Sequence, residues 1–401
     1  MINVIGLGYI GLPTALILAA NGHEVVGTDI KKDTVKQLNE RRLTFKEVGL
    51  DHLFNRAVNN GIKFSDEYQV ADVYIISVPT PYDKDSKKVD MTYVVSAFKS
   101  VLEVCSDNST IVIESTVSPG SINKHIRPLV KECHKKVNIA HAPERIIPGS
   151  MVYELEHNSR TIGADDMKTG ELLKSIYGSF CKGDIILTDI RSAEMSKVVE
   201  NTFRDINIAF ANELAKICRA DNMDVYEIIR IANRHPRVNI LNPGPGVGGH
   251  CISVDPWFLV GDYPGLANII LAARKINDSM PEFVLERIYN IMRENNITDT
   301  SRVGLYGLTY KENVDDVRES PTLQLLECMK KHLAMPLMCY DPFVKDKIVE
   351  NQVFDLNTFL ESNDMIVIMT GHQEIIENQE LLKDKIVLDT RKCIEASKYH
   401  L

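Results

Sequence analysis

Residues 2–13 read INVIGLGYIGLP and carry three glycines in the spacing GxGxxG, namely Gly6, Gly8 and Gly11. An apolar run that predicts a strand at Ile2–Ile5 precedes this turn, and a helical pattern at Leu12–Ala20 follows it. In such a unit the first glycine permits a tight turn, the second lets the backbone approach a pyrophosphate, and the third lets helix and strand pack closely. The order of strand, glycine turn and helix therefore predicts a dinucleotide site, with the phosphates at the N-terminus of the helix.

The residue after the second predicted strand indicates which dinucleotide binds. That strand, Glu24–Thr28, is followed by Asp29, which lies 18 positions after Gly11. A carboxylate at this point accepts hydrogen bonds from ribose hydroxyls and repels a 2′-phosphate, which favours NAD. The alternative is a tight turn beside an ordinary surface acid, and Lys31 and Lys32 close by weaken the electrostatic argument.

Strand-like and helical patterns alternate up to about residue 187 and again after residue 300. The further predicted strands are Val73–Val78, Thr110–Glu114, Asn138–His141, Asp184–Leu187, Val303–Leu308, Leu337–Tyr340, Met365–Met369 and Ile386–Leu388. The middle of the chain is helical, with predicted helices at Ser192–Ala220 and Leu266–Glu294, and another helix is predicted at Thr322–His332. Buried strands that alternate with helices are typical of parallel sheets covered on both faces.

The predicted fold is therefore α/β, with two Rossmann-like parallel-sheet domains joined by a central all-helical region. We place the NAD-binding domain at 1–187, the helical region at 188–297 and the second α/β domain at 298–401. Three domains are consistent with a chain of 401 residues, because single cores rarely grow to that size.

Composition and charge exclude several classes of protein. Hydrophobic residues make up 44% of the chain and charged residues 25%, as in folded globular proteins, and the formal net charge of −9 argues against a general nucleic-acid binder. We find no secretion signal and no membrane span. The eight cysteines are scattered without a CxxC pair, so we predict neither a metal site nor a disulfide framework. These features predict a cytoplasmic protein.

A glycine-rich loop carries the most informative cysteine. Residues 243–256 read PGPGVGGHCISVDP, and Cys251 follows the Gly248–Gly249 pair. Such a thiol becomes a nucleophile only as the thiolate, so it needs a lowered pKa or a base. The alternative is a mobile glycine loop around an inert thiol. Asp255 before Pro256 would also suit a helix N-cap.

The helix predicted at Ser192–Ala220 carries one polar stripe along an otherwise apolar surface. Its members recur at helical spacing and are Glu194, Lys197, Asn201, Asp205 and Asn212. Taken alone, a stripe of this kind indicates the solvated face of a helix.

Seven ordered segments resemble the UDP-glucose/GDP-mannose dehydrogenase family along essentially the whole chain. They are VIGLGYIGLP at 4–13, SVPTP at 77–81, ESTVSPG at 114–120, APE at 142–144, EMSKVVENTFR at 194–204, PGPGVGGHCISVDP at 243–256 and GLTYKENVDDVRESP at 307–321. The resemblance implies oxidation of a nucleotide sugar to the uronate with two NAD per turnover, by a homodimer or higher homo-oligomer.

The same resemblance implies a role for each matching residue. Lys197, Asn201 and Asp255 would assist deprotonation of the sugar alcohol and stabilise the oxyanion, and Cys251 would trap the aldehyde as a thiohemiacetal and then carry a thioester. Glu144 would activate the water that hydrolyses the thioester. The assigned catalytic residues are Cys251, Lys197, Asn201, Asp255, Glu144 and Thr116.

Two further sets of residues follow from the resemblance. The residues assigned to NAD are Gly6, Gly8, Tyr9, Ile10, Gly11, Asp29, Pro79, Thr80, Thr116 and Arg318. The residues assigned to the UDP-sugar substrate are Glu144, Arg145, Lys197, Asn201, Arg204, Arg237, Gly248, His250, Tyr310, Lys311 and Arg391. Arg237 would act on the substrate of the neighbouring subunit. Each basic residue, taken alone, is more often a solvated charge.

One departure from the family pattern bears on the substrate. UDP-glucose members usually carry lysine just before the catalytic aspartate, whereas this chain has Val254. Together with ANRHPRVN at 232–239, this favours UDP-N-acetyl-D-mannosamine, with UDP-N-acetyl-D-glucosamine or another nucleotide sugar as the alternative. Two other classes remain open: a two-electron NAD dehydrogenase without a covalent thiol, and a non-catalytic NAD-binding protein.

Overall fold

The computed structural model describes residues 1–332, 334–395 and 397–401. These residues form two compact units, Met1–Glu200 and Asn201–Leu401. Among them, no helix combines the length and the apolar character needed to cross a bilayer.

The first unit is built on one large sheet. In the described residues this sheet has eight strands, in the order β3-β2-β1-β4-β5-β6-β7-β8. The strands are β1 (Ile2–Ile5), β2 (Val25–Thr28), β3 (Lys63–Ser65), β4 (Val73–Ile76), β5 (Thr110–Ile113), β6 (Asn138–His141), β7 (Arg160–Ala164) and β8 (Ile185–Thr188). Neighbouring strands are parallel except at one place, because β7 runs antiparallel to β6.

Helices cover both faces of this sheet. They are α1 (Gly11–Ala20), α2 (Lys32–Asn39), α3 (Leu50–Asn59), α4 (Thr92–Val104), α5 (Arg127–Cys133), which continues a π-helical turn at Ile122–Ile126, α6 (Met151–His157) and α7 (Met167–Tyr177). Alternate residues of β4 separate the two cores: Val73 and Ile75 pack with α1, α3, α6 and α7, whereas Tyr74 and Ile76 pack with α4 and the π-helical turn. The first unit is thus a doubly wound sheet.

The second unit combines helices with a smaller parallel sheet. Its helices are α8 (Ile190–Ala220), which begins in the first unit, α9 (Val225–Ala232), α10 (Asp255–Asp262), α11 (Asn268–Asp278), α12 (Met280–Glu294), α13 (Pro321–Lys331), α14 (Leu356–Ser362) and α15 (Gln373–Glu377), with short 3₁₀ turns at Thr300–Arg302 and Gln379–Leu382. Its strands are β9 (Val303–Tyr306), β10 (Met338–Tyr340), β11 (Gln352–Val353), β12 (Met365–Ile368), β13 (Ile386–Asp389) and β14 (Tyr399–His400).

The strand order of this second sheet is β11-β10-β9-β12-β13-β14, and the described pairs are all parallel. The same order, 3-2-1-4-5-6, describes the first six strands of the first unit. Both sheets therefore have the Rossmann topology, and the predicted fold class of two such domains with a helical region between them in sequence is confirmed.

Several local predictions needed correction. The single helix predicted at Leu266–Glu294 is two helices, α11 and α12, which meet at Ser279, and α12 carries Pro281 near its start. Proline has no backbone N–H and clashes with the preceding turn, so a continuous helix would be destabilised there. Strands β3, β7, β11 and β14 were not predicted. The domain boundaries at 187 and 297 stay a prediction.

Candidate active site

The residues predicted to bind NAD, and several predicted to act in catalysis, follow the carboxyl ends of parallel strands in the first unit. Gly6 follows β1, Asp29 follows β2, Thr116 follows β5 and Glu144 follows β6 within three residues of each strand's end. Pro79 and Thr80 lie in the loop after β4. Because parallel strands end at the same edge of a sheet, these loops share the edge where open α/β sheets bind ligands.

The glycine turn is shaped as the sequence predicts. Gly6 has φ +89°, and a Cβ at this position would lie 2.5 Å from the Ser77 carbonyl oxygen. A Cβ on Gly11 would lie 1.9 Å from the Gly6 carbonyl oxygen, so only glycine permits this approach of helix and strand. A Cβ on Gly8 would meet no atom within 4 Å among the described residues, which leaves the approach that a pyrophosphate requires.

Asp29 lies at the adenosine-ribose position of this turn. One carboxylate oxygen accepts the Leu7 N–H at 2.8 Å and the other accepts the Lys31 N–H at 2.8 Å. The carboxylate is therefore fixed beside the glycine turn, with acceptor capacity left for ribose hydroxyls. The remaining predicted cofactor residues of this unit, Tyr9 and Ile10, lie between the turn and α1, and the Tyr9 ring packs on Phe45 at 4.5 Å.

Alanine substitutions at Gly8 and Gly11 are expected to separate the effect on NAD binding from the effect on packing. Gly8→Ala fills open space, so we expect an unchanged melting temperature but a Kd for NAD raised about tenfold or more, since the methyl group blocks the pyrophosphate. Gly11→Ala forces a contact with Gly6, and such overpacking costs about 1–3 kcal/mol or more. Thermal denaturation and NAD titration measure the two effects, and an equal loss of Tm in both variants would contradict this division.

Glu144 is a buried carboxylate held by two donors. Its Oε1 accepts the Arg145 N–H at 2.6 Å, and its Oε2 accepts a hydrogen bond from Arg160 Nη2. Arg160 is itself only 4% exposed, and its Nη1 lies 3.6 Å from Oε1 of Glu114. The sequence did not single out Arg160 or Glu114, although Glu114 opens the ESTVSPG segment.

The other predicted residues of the first unit have different surroundings. Thr116 is half-buried in the loop after β5, and Lys197 is buried on α8. The Arg145 guanidinium donates to Ser159 O at 2.9 Å and to Thr161 Oγ1 at 2.8 Å, and it pairs with Glu200 at 2.7 Å. A substrate contact by Arg145 stays a prediction.

The loop that carries Cys251 is packed closely in the second unit. A Cβ on Gly248 would lie 2.6 Å from Tyr310 Cβ, and one on Gly249, which has φ +85°, would lie 2.9 Å from the Tyr310 ring. The Gly249 N–H donates to Arg318 O at 2.8 Å. The two glycines are therefore needed for close packing, and the alternative of a loose glycine loop around the thiol does not describe this segment.

Asp255 closes the turn that begins at Cys251. Its N–H donates to the Cys251 carbonyl at 2.8 Å, and its carboxylate accepts from Asn201 Nδ2 at 2.6 Å. The interpretation of Asp255 as a helix N-cap is wrong, because Asp255 is the first residue of α10 and the cap position is Val254. The side chain points to α8 rather than back to its own helix.

The polar stripe of α8 is buried, so its interpretation as a solvated face is wrong. Asp205 accepts from Arg274 Nη1 at 2.6 Å and from Asn277 Nδ2 at 2.8 Å. Asn212 donates to Asn277 Oδ1 at 2.8 Å and accepts the Gly244 N–H at 2.8 Å. The stripe thus fixes α11 and the start of the glycine-rich loop, and partner groups offset the cost of burying it.

At the N-terminal end of α8 the same stripe has a local structural role. Glu194 accepts the N–H groups of Gly120 at 2.5 Å and Ile122 at 2.9 Å, at the start of the π-helical turn before α5. Burial raises the pKa of Glu194, and these two N–H donors oppose that rise.

The C-terminal sheet presents the predicted nucleotide residues at its carboxyl edge. Tyr310 and Lys311 follow β9, and Arg391 follows β13. Arg391 donates through Nε to Met369 O at 3.0 Å, and a Cβ on Gly244 would lie 3.1 Å from its Nη1. Burial lowers the pKa of Arg391, although an arginine stays charged at any neutral pH.

A buried pair that the sequence did not reveal supports the loop bearing Tyr310 and Lys311. Asp341, at the end of β10, accepts the N–H groups of Leu308 at 2.7 Å and Thr309 at 3.0 Å. His372 lies 3.1 Å from the same carboxylate and accepts the Asn313 N–H through Nδ1 at 2.9 Å. Asp341 thus occupies the position that Asp29 has in the first sheet, but its carboxylate is engaged by His372 rather than open to a ribose.

Three of the predicted arginines are not part of the buried Asp341–His372 pair. Arg204 and Arg237 are exposed, and Arg318 forms a two-pronged ion pair with Asp316, at distances of 2.6–3.1 Å. The pKa of Asp316 is lowered by Arg318 in spite of its burial. The assignments of these arginines, and of His250 in the Cys251 loop, stay predictions.

The glycine turn with Asp29 has the features of an NAD site, and a second Rossmann sheet follows it in the chain. Comparison with family models matches the NAD binding domain of the UDP-glucose/GDP-mannose dehydrogenase family at residues 1–181, its central domain at 191–279 and its UDP binding domain at 304–396. The chain therefore belongs to this family and is an NAD-dependent nucleotide-sugar dehydrogenase.

Individual relatives refine the comparison. The chain is 44% identical to the UDP-N-acetyl-D-mannosamine dehydrogenase of Methanocaldococcus jannaschii, over 98% of this chain and 92% of the relative. It is 39% identical to the NDP-N-acetyl-D-galactosaminuronic acid dehydrogenase of Ralstonia nicotianae, over 97% and 95% of the two chains. The solved structure of a UDP-D-ManNAc dehydrogenase from Pyrococcus horikoshii is similar with a TM-score of 0.91 and 35% identity, over 100% and 98% of the chains.

Proposed function

We propose that this chain oxidises C6 of UDP-N-acetyl-D-mannosamine from alcohol to carboxylate and so forms UDP-N-acetyl-D-mannosaminuronate. The observation that carries the proposal is the tie between Cys251 and the Asn201–Asp255 pair, in which Asp255 bonds to the Cys251 carbonyl at 2.8 Å and to Asn201 at 2.6 Å. The turn from Cys251 to Asp255 thus carries a nucleophile at one end and, at the other, a carboxylate paired with Asn201. This pair is able to bind an alcohol oxygen. A four-electron oxidation needs both functions.

In the first oxidation, Asp255 and Asn201 orient the C6 hydroxyl or a water bound beside it, and the Lys197 ammonium stabilises the negative charge that develops on O6. The glycine turn and Asp29 would hold NAD⁺, which would supply hydride acceptance for each of the two oxidations. Thr116, after β5, positions the cofactor or the water.

In the second oxidation, the Cys251 thiolate adds to the aldehyde carbon, because an aldehyde yields a hydride only after a nucleophile has added. The resulting thiohemiacetal becomes a thioester on Cys251. Glu144 then removes a proton from water, the oxygen bonds to the thioester carbon, and the thiolate leaves as the carboxylate forms. Apart from hydride acceptance, which NAD⁺ would supply when bound, these steps use only water and the chain's own thiol and carboxylate.

The UDP group is bound by the C-terminal domain in this proposal. Lys311 and Arg391 pair with the phosphates, because a guanidinium matches phosphate oxygens in pairs. Tyr310, Arg204, Arg145, His250 and Gly248 line the sugar or nucleotide path, Arg237 reaches the substrate of the neighbouring subunit, and Arg318 lies toward the cofactor.

The choice of N-acetyl-D-mannosamine rests on the named relatives and on Val254, where a lysine is usual in UDP-glucose members. Val254 is buried. The alternative is the same reaction on UDP-N-acetyl-D-glucosamine or another N-acetylated nucleotide sugar, which the Ralstonia relative favours. Incubation with NAD⁺ and a panel of UDP-sugars, followed at the NADH absorbance, tests the choice. A higher kcat/KM with UDP-glucose than with any N-acetylated sugar would reject it.

We also propose a homodimer through α8. Phe203, Phe210 and Ile217 recur seven residues apart on this helix and are 66%, 49% and 51% exposed, and such a stripe of large apolar side chains marks an interface. A cytoplasmic location is also part of this proposal, and it is supported by the use of NAD and by eight cysteines of which none is in a disulfide.

Sedimentation measures this association directly. We expect Phe203→Asp and Phe210→Asp to convert the dimer to monomer, since a charge at the centre of an apolar interface is left desolvated. Tyr153→Asp, which changes an aromatic side chain that is 65% exposed on α6, is the matched control. A wild-type monomer, or dissociation by the control alone, would contradict the interface.

A further inference from the structure

Arg160 lies between two buried carboxylates of the first unit. Its Nη2 donates to Glu144 Oε2, and its Nη1 lies 3.6 Å from Glu114 Oε1. The exposed fraction of the side chain is at most 4% for Arg160 and Glu114, and it is 5% for Glu144. One cation is therefore shared by two carboxylates that solvent hardly reaches.

The reversed strand β7 explains how the arginine comes to lie there. The register of β6 and β7 pairs Ala140 with Ala164 and His141 with Gly163, and the strands are antiparallel. Continued past the carboxyl end of β6, this register places Arg160 opposite Glu144. A parallel β7 would have put its first residue at the other edge of the sheet. The antiparallel strand thus returns a cation to the carboxyl edge, where the cofactor turn lies.

The remaining faces of the cluster are aromatic or uncharged. The Arg160 guanidinium carbon lies 4.5 Å from the centre of the Tyr177 ring and 5.3 Å from that of Phe180. Ser77 Oγ donates to Glu114 Oε2 at 3.2 Å, and Tyr177 Oη donates to Glu114 Oε1 at 3.4 Å. Cys181 also faces the guanidinium. Arginine stacked in this way cannot move freely from one carboxylate to the other.

Charge balance favours one neutral carboxyl in this cluster. Burial raises the pKa of Glu114 to about 7, and the negative charge of Glu144 adds to the rise, whereas Arg160 opposes it. Burial also raises the pKa of Tyr177 well above its ordinary value, so this phenol stays neutral. Below about pH 7, Glu114 is therefore mostly protonated and Arg160 serves Glu144.

We propose that Arg160 is the positioning residue that holds Glu144 as an oriented carboxylate for thioester hydrolysis, and that Glu114, when ionised, tunes this hydrolysis by sharing the same guanidinium. This inference rests on the proposed function, in which Glu144 activates the hydrolytic water. Arg160 and Glu114 act through Glu144 and touch neither the substrate nor the thioester.

The charges around Arg160 determine how hydrolysis changes with pH. When pH rises through the pKa of Glu114, a second negative charge shares Arg160, so the guanidinium neutralises the Glu144 carboxylate less and the water proton is drawn to it more strongly. The rate of thioester hydrolysis therefore rises through an inflection near pH 7. In Glu114→Gln the competing charge is absent, so the inflection is lost and hydrolysis keeps its slower rate above neutrality.

The test follows the thioester on Cys251 of the full-length protein by quenched-flow mass measurement from pH 6 to 9, with the first hydride transfer recorded in parallel. For Glu114→Gln we expect loss of the inflection and hydrolysis slowed about threefold to tenfold at pH 8.5, because the full guanidinium charge then opposes proton transfer from water to Glu144. For Arg160→Lys we expect slower hydrolysis over the whole range, since lysine keeps the charge but not the two-sided geometry. In both variants the first hydride transfer stays within about twofold of the wild type, as does the exposed control Glu171→Gln in every measurement.

Four outcomes overturn the proposal. A Glu114→Gln profile that keeps the wild-type inflection rejects the competition, and equal slowing of both oxidations in both variants would show a merely structural cluster. If the wild-type protein and Glu144→Gln never carry a thioester on Cys251, the proposed function itself fails and this inference fails with it. A thioester that forms normally but decays independently of Glu114 rejects this inference alone.

Discussion

Cys251→Ala is expected to stop uronate formation, with a loss of at least about 10³-fold in rate, while NAD still binds. The reason is chemical: the aldehyde formed by the first oxidation holds no hydride that NAD⁺ can accept until a nucleophile adds to its carbon. Alanine removes that nucleophile but leaves the Asn201–Asp255 pair, so the first oxidation can still proceed. Product analysis by chromatography, with NAD titration, measures both expectations.

The control for this variant is a thiol outside the loop. Cys133 lies at the end of α5, half-buried, in the other compact unit. Cys133→Ala is expected to keep wild-type uronate formation. Cys251→Ser is a second test, because its hydroxyl is a poor nucleophile at neutral pH and would leave a stable ester if it did react. Full carboxylate production by Cys251→Ala would reject the covalent mechanism.

Glu144→Gln is expected to stall the enzyme after both oxidations but before product forms. Glutamine has the shape of glutamate and can still accept the Arg145 N–H, yet it cannot take a proton from water. General bases contribute about 10²–10⁴-fold to rate, so the thioester accumulates on Cys251. Intact-protein mass is expected to increase by the acyl-UDP-sugar, with two NADH formed per active site in the first burst.

The exposed residue Glu171, on α7, gives the matched control. Glu171→Gln is expected to turn over as the wild type and to carry no lasting adduct. The two variants of the catalytic residues also differ in where they stop, because Cys251→Ala releases aldehyde after one NADH whereas Glu144→Gln holds a thioester after two. Rapid steady-state uronate formation by Glu144→Gln would show that another group activates the water.

The parts of the fold that the sequence predicts best are those with short-range causes. The glycine turn could be predicted because Gly11 meets Gly6 within one strand–turn–helix unit, where an added Cβ would lie 1.9 Å from the Gly6 carbonyl oxygen, and because Gly6 has φ +89°. The buried strands β1, β4, β5 and β12 could be predicted because at least three of the four residues in each are apolar, on both faces of the strand. Asp29 follows from its place after β2.

The features that the sequence did not predict depend on contacts between residues far apart in the chain. Strand β7 begins with a charged residue, Arg160. Its antiparallel direction depends on pairing with β6, which ends at His141, 19 positions before Arg160. The burial of the α8 stripe depends on partners such as Arg274 and Asn277, 69 and 72 residues away from Asp205. A polar stripe on a helix has the same pattern whether water or buried partners satisfy it, so periodicity alone could not separate the two.

The central proposal is that the enzyme carries out a four-electron oxidation through Cys251. The ratio of NADH formed to sugar consumed tests this proposal most directly. Purified enzyme is incubated with a limiting, weighed amount of UDP-N-acetyl-D-mannosamine and excess NAD⁺, and the reaction is followed to completion with mass identification of the product. The account predicts two NADH per sugar and the uronate as product. One NADH per sugar with an aldehyde as the final product would contradict it.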